Sequence, residues 1–149
     1  MIYVFLIFLM WMTSYPLRHM PIFTLNKEDK QYIENYGLVH FTKKENVKDI
    51  LEHGLKGSVS NMGYLERRLG KLVWTYKNQR NLDEYIKILQ KKSKAMKDKS
   101  NFEVAIILNG FSDTDMANMR KRIGFNRHDK AIVYKGEYLN PASINVKYL

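Results

Sequence analysis

The sequence predicts an α+β domain on a small mixed or split sheet, and three observations carry that prediction. Short apolar runs and helical stripes succeed one another in the order helix–strand–helix–strand–helix–strand–helix–strand–strand. The strand candidates are only about four to seven residues long. The connections between them are unequal in length, unlike the uniform crossovers of a doubly wound parallel sheet. At 149 residues the chain is the size of a single domain with one real core. That domain is expected over residues 22–149, behind an apolar leader or extension at residues 1–20.

Each element has a local reason. Asn26 is placed to cap a helix over Lys27–Tyr36, with Glu28 and Asp29 in its first turn and Gly37 just past its end. Leu38–Phe41 is a short apolar strand. Thr42 and Glu45 form an S/T-x-x-E capping box for the next helix, whose stripe is Val47, Ile50 and Leu51. Gly54 is the expected left-handed stop, and His53 beside it is expected to reach the last carbonyls. Gly57 to Gly70, with Tyr64 and the Glu66-Arg67-Arg68 cluster, reads as a loop. Lys71–Tyr76 is a second strand. Asn81 and Glu84 open a helix over about Leu82–Lys97, striped by Leu82, Tyr85, Ile86, Leu89 and Met96. Phe102–Leu108 is a buried strand. Asp113 is the expected cap of a short helix holding Met116, Met119 and Ile123, closed by Gly124. Ala131–Tyr134 and Ser143–Tyr148 are the last two strands.

Composition narrows the chemistry. Apolar residues at 45% and charged residues at 27% are ordinary for a globular protein. The balance of 25 Lys and Arg against 15 Asp and Glu gives a formal charge of +10, which favours anionic partners such as nucleic acid, acidic membrane or phosphate-bearing small molecules. With no cysteine, thiol nucleophiles, thiolate metal sites and disulfides are excluded, and a cytoplasmic setting fits. Met1–Met12 is apolar throughout but shorter than the roughly 20 residues of a membrane-spanning helix. It reads as a buried leading element, an interfacial anchor that would bring membrane association, or an extension from an upstream start codon.

Residues able to carry chemistry are few. His40 ends the first strand, where a rigid element can present an imidazole to a cleft; it suits a ribose hydroxyl, or else a bond to backbone. Trp74 and Tyr76 end the second strand and can wall a slot for a flat ring or pack the sheet against the following helix. His19, His40, His53 and His128 are too scattered for a zinc site. Two basic clusters, Lys87, Lys91, Lys92, Lys94 and Lys97 on one helix face and Arg120, Lys121 and Arg122 with Arg127, can follow a phosphate backbone or form solvated faces.

Val39-His-Phe-Thr-Lys-Lys-Glu-Asn-Val-Lys-Asp-Ile-Leu-Glu-His-Gly-Leu55 resembles the His-Phe-Thr opening of bacterial ADP-ribosyltransferase superfamily members, among them DNA-modifying toxins and RNA 2′-phosphotransferases. Leu72-Val-Trp-Thr-Tyr-Lys-Asn78 is similar to the family's second motif, a strand ending in an aromatic. Ala131-Ile-Val-Tyr-Lys-Gly-Glu-Tyr-Leu-Asn-Pro-Ala-Ser-Ile144 is similar to its terminal strand. The resemblance implies an ADP-ribosyltransferase-like split sheet with flanking helices. It also implies NAD as substrate, bound through His40, Phe41, Thr42, Trp74 and Tyr76, with His40 on the ribose. The acceptor would be an anion such as nucleic acid, gripped by Lys87, Lys91, Lys94, Arg120, Lys121 and Arg122, or a protein. One departure matters: the glutamate that family enzymes carry at the start of the terminal strand falls near Ala131. Asp129 is the candidate replacement, since Glu137 lies beyond Gly136 in a turn. A catalytically inactive binding module on the same scaffold is the alternative.

Overall fold

The computed structural model describes residues 22–59, 70–92, 102–122 and 131–149. Among them the chain forms an α+β fold: a largely central sheet with short helices on both faces. The strands are β1 (Ile22–Thr24), β2 (Leu38–Thr42), β3 (Leu55–Lys56), β4 (Ser58–Val59), β5 (Lys71–Lys77), β6 (Val104–Asn109), β7 (Met119–Arg122), β8 (Ala131–Lys135), β9 (Tyr138–Leu139) and β10 (Ser143–Tyr148). The helices are α1 (Lys27–Tyr36), α2 (Val47–His53), α3 (Leu82–Lys92) and α4 (Asp113–Ala117). The main sheet runs β1-β7-β8-β5-β2-β6-β10, with β4 also on β5, while β3 and β9 make a separate ribbon.

Every described strand pairing is antiparallel, which corrects the expectation of a mixed sheet. The reason lies in the topology. β5 and β6, joined through α3, run in the same direction, but β2 lies between them and opposes both. The parallel pair therefore never becomes adjacent.

Alternation along the strands sorts the core into two layers. Leu38, Val73, Ile106, Leu108 and Ile132 meet Ile33 of α1, Val47 and Ile50 of α2 and Met116 of α4 on one face. Val39 and Ala105, with Phe41, Tyr76 and Ile107, meet Leu82 of α3 on the other, where Tyr85, Ile86 and Phe102 extend the layer. Leu38 and Val39 at the sheet centre are fully buried.

α1 starts as its sequence dictates. The Asn26 side chain accepts from Asp29 N–H at 2.8 Å and the Asp29 carboxylate accepts from Asn26 N–H at 3.0 Å. Gly37 ends it at φ 78°, with its N–H on the Ile33 carbonyl. Asn81 takes the Glu84 N–H at 3.1 Å at the start of α3, which is described as far as Lys92 rather than Lys97.

Other expectations are corrected. Thr42 makes no capping box with Glu45, because β2 holds Thr42 in the ladder opposite Val104. A 3-10 turn at Lys44–Asn46 follows, α2 begins without a side-chain cap, and the Asn46 amide donates to the Thr42 hydroxyl at 2.9 Å. Ser112, not Asp113, caps α4, accepting from Asp115 N–H at 3.1 Å. That helix stops at Ala117, and Met119–Arg122 is strand, fixed between β1 and β8. β1 and the β3–β9 ribbon lie outside the expected elements, and Ser58–Val59, inside the expected loop, is strand because it pairs with Leu72 and Lys71. Met1–Met12, the Glu66–Arg68 cluster, Lys94, Met96, Lys97, Ile123, Gly124, Arg127 and Asp129 lie outside the described residues. No helix among the described residues is long and apolar enough to cross a membrane.

Candidate functional site

The central sheet forks at its middle. β2 pairs with β6 over all five residues, from Leu38↔Leu108 to Thr42↔Val104. With β5 on its other side it pairs only at Leu38↔Lys77 and Val39↔Tyr76. β5 meanwhile stays with β8 from Leu72↔Lys135 to Tyr76↔Ala131. Beyond Val39 the two strands part, and His40 sits at the crotch with its Nδ1 2.6 Å from the Trp74 carbonyl oxygen.

A carbonyl can only accept, so Nδ1 carries the proton and donates. The neutral ring is thereby held as one tautomer, with Nε2 left as an acceptor. Burial lowers the His40 pKa below 6.5, and the Trp74 bond, which favours protonation, opposes that shift without reversing it. At neutral pH the ring is uncharged. It can accept a hydrogen bond from a hydroxyl or amide of a ligand.

A hollow of about 290 Å³ opens in the fork, lined by His40, Phe41, Thr42, Lys43, Glu45, Asn46, Trp74 and Tyr76. Alternation sends His40 and Thr42 toward the α2 side and Phe41, Trp74 and Tyr76 toward the α3 side. Both sets reach one hollow because the strands have separated. The five residues expected to bind a ligand, His40, Phe41, Thr42, Trp74 and Tyr76, are thus brought together.

The aromatics also have structural partners. Phe41 packs on Tyr76 at 6.0 Å and on Phe102 at 5.1 Å between ring centroids, and Tyr76 meets Tyr85 edge-on at 6.0 Å. Packing against α3 is therefore part of what Phe41 and Tyr76 do. Trp74 instead carries the Arg122 guanidinium 5.4 Å from its ring centroid, a cation–π contact made across β8.

A second hollow, of about 390 Å³, adjoins the first and shares His40, Thr42 and Asn46 with it. Its other walls are Asp49, Ile50, His53 and Gly54 of the α2 end, Leu55 and Lys56 of β3, and Tyr138 of β9. His53 does not cap the helix as expected. Gly54 N–H closes it on the Ile50 carbonyl, and the imidazole lies 3.7 Å from Glu52 at the surface. No group of three or more His, Asp or Glu that could hold a metal occurs among the described residues.

The carboxylate at the fork is not one that the sequence singled out for chemistry. Glu137 sits on an exposed turn with Lys71 3.2 Å away, and Asp129 is outside the described residues. Glu45, expected as a capping partner, lines the hollow beside His40. Its signal was its nearness in sequence to His40, hidden by the cap that Thr42 does not make.

The basic clusters fare unequally. Lys87 and Lys91 are exposed one turn apart on α3. Arg120, Lys121 and Arg122 do not form one patch, because strand alternation divides them. Lys121 reaches Asp29 at 3.1 Å, Arg120 donates to the Ala117 and Met119 carbonyls at 2.7 and 2.8 Å, and Arg122 covers Trp74.

No protein-family model matches the chain, and comparison with curated proteins and with solved structures likewise returns no match.

Proposed function

We propose that the chain is an ADP-ribosyltransferase-like protein with a split-sheet cleft, one that binds NAD and transfers ADP-ribose to an anionic acceptor such as nucleic acid. The observation that supports this most is the fork, with a neutral, tautomerically fixed His40 and the aromatics Trp74 and Tyr76 on one hollow. Neutral Nε2 suits a ribose hydroxyl, and the flat walls suit the nicotinamide ring. The second hollow, at about 390 Å³, falls in the size range of small-molecule sites of about 300–1,000 Å³, and the fork hollow, at about 290 Å³, lies just below it. Lys87 and Lys91 offer the phosphate contacts of an acceptor, and counterion release would make that contact salt-sensitive.

One observation favours a second reading, a binding module without turnover. Ala131, where the resemblance expects a glutamate, is buried and apolar. The readings separate in one experiment. Purified protein is incubated with labelled NAD, alone and with single-stranded DNA, RNA or protein acceptors. Release of nicotinamide, lost in His40→Ala, supports the transferase. Salt-sensitive nucleic-acid binding with no NAD binding or turnover supports the module.

A further inference from the structure

We infer that Glu45 supplies the carboxylate of this site, in the role for which the terminal strand offers only Ala131. The inference rests on the NAD reading above and adds a residue to it. Among the described residues lining the fork hollow, Glu45 is the single carboxylate, set against one cation, Lys43.

The fold also leaves Glu45 free for chemistry. Neither the 3-10 turn nor α2 uses a side-chain cap, and no ion pair among the described residues involves Glu45. Asp49 lines only the adjoining hollow, and two further carboxylates are committed. Asp29 holds Lys77 and Lys121, and Glu137 holds Lys71 at the surface. The turn that carries Glu45 is tied to the His40 strand by the Asn46–Thr42 hydrogen bond of 2.9 Å. A carboxylate and an acceptor imidazole are therefore carried on one short, braced segment.

Cleavage of NAD in this hollow would be favoured by a negative group near the ribose. As the C1′–N bond of NAD breaks, its electron pair leaves with the nicotinamide nitrogen and positive charge develops on the ribose. Water or the acceptor then bonds to C1′ and gives up a proton. A preorganised carboxylate stabilises that transient cation more than it stabilises the ground state, so its loss lowers turnover rather than binding.

The test compares Glu45→Gln and Glu45→Asp with Glu137→Gln, using NAD as probe. Binding is read from Trp74 fluorescence in a Trp11→Phe background and turnover from nicotinamide release. Glu45 is exposed, so its substitution leaves the fold intact. E45Q is expected to lower kcat by about a hundredfold with NAD affinity nearly unchanged. E45D should fall between, and E137Q should match the wild type. E45Q turning over NAD like the wild type overturns the inference while leaving the NAD reading intact. So does loss of turnover in Asp129→Asn but not in E45Q. Wild-type protein that neither binds nor cleaves NAD removes both.

Discussion

Acidification should weaken ligand binding at the fork, and the structure fixes both where and how steeply. The perturbation is protonation of His40. Its Nδ1–H is already spent on the Trp74 carbonyl at 2.6 Å, so the incoming proton lands on Nε2. That turns the sole free acceptor of the ring into a donor and puts a charge where burial disfavours it. Because burial lowers the pKa from 6.5, affinity for a ligand that donates to Nε2 should be flat above pH 6.5. Below the shifted pKa it should fall by about tenfold per pH unit, the limit set by one proton.

Stability follows the same sign. The unfolded chain titrates His40 near 6.5 and the folded chain below it, so between those values the unfolded state binds more protons. The contribution is fully present above pH 6.5 and is lost as the pH falls through the folded value. Trp74 fluorescence titrations with NAD between pH 5 and 8 in a Trp11→Phe background, beside an NMR titration of the His40 ring and urea unfolding over the same range, measure both. His40→Ala should abolish the pH dependence. It should also leave the Trp74 carbonyl without its donor, at about 1–3 kcal/mol of stability. A ring midpoint at or above 6.5, or affinity that rises in acid, refutes the reasoning.

Two further predictions concern what holds the fork in place. Asp29→Ala removes a carboxylate that caps α1 and meets Lys77 at 2.7 Å and Lys121 at 3.1 Å. Both lysines are partly exposed and can turn to water, so the cost in urea unfolding at pH 7 should be about 2–3 kcal/mol, below that of a fully buried pair. Burial tends to raise the Asp29 pKa, but the lysine and backbone hydrogen bonds leave it below 3.8, so the deficit should persist in mild acid and shrink only as the pH falls below 3.8. Gly37→Ala should cost several-fold more than Gly70→Ala. Both sit at positive φ, where a side chain costs about 1–3 kcal/mol, but a Cβ at Gly37 would clash with the Leu108 carbonyl of β6 and the Asn109 side chain, whereas one at Gly70 meets nothing within 4 Å among the described residues. Equal losses on thermal melting would show that crowding against β6 is unimportant.

Local signals made α1, β2 and β5 legible. Asn26, Asp29 and Gly37 write the ends of α1 within a dozen residues, and the apolar run Leu72-Val73-Trp74 marks β5. β7 was not legible because Arg120, Lys121 and Arg122 follow Met119 with no apolar alternation. Their half-buried places depend on Asp29 and Trp74, distant in sequence. The caps at Thr42 and Asp113 failed for a common reason. Each is a short-range preference worth about 1 kcal/mol, which strand pairing or a neighbouring Ser112 can displace. At the site, His40, Trp74 and Tyr76 were legible as residues able to reach a cleft, but not as strand ends. β2 runs on to Thr42 and β5 to Lys77, so His40 and Trp74 are mid-strand and meet the hollow because the two strands part. Glu45 was not legible, because its exposure to the hollow depends on β2 continuing to Thr42.

The fork is a built feature rather than a frayed edge, and the accounting of its polar groups is the reason. Where β2 leaves β5, ladder hydrogen bonds are given up, and a buried carbonyl left bare costs about 1–3 kcal/mol. At the split the His40 side chain takes over that task, and two further side-chain bonds brace the flanks. His40 donates to the Trp74 carbonyl, Thr75 donates its hydroxyl proton to the Ile132 carbonyl at 2.8 Å and ties β5 to β8, and Asn46 holds Thr42 on the β6 side. The last ladder pair before the split, Val39 with Tyr76, is anchored by a fully buried valine. The parting therefore begins at a fixed register and opens toward Trp74. An imidazole that substitutes for a strand in the ladder is held by its backbone partner, with its other nitrogen turned to the space the strand vacated. The same bond that closes the sheet's polar deficit thus orients the group proposed to read the ligand, so the His40→Ala experiments probe fold and site through one contact.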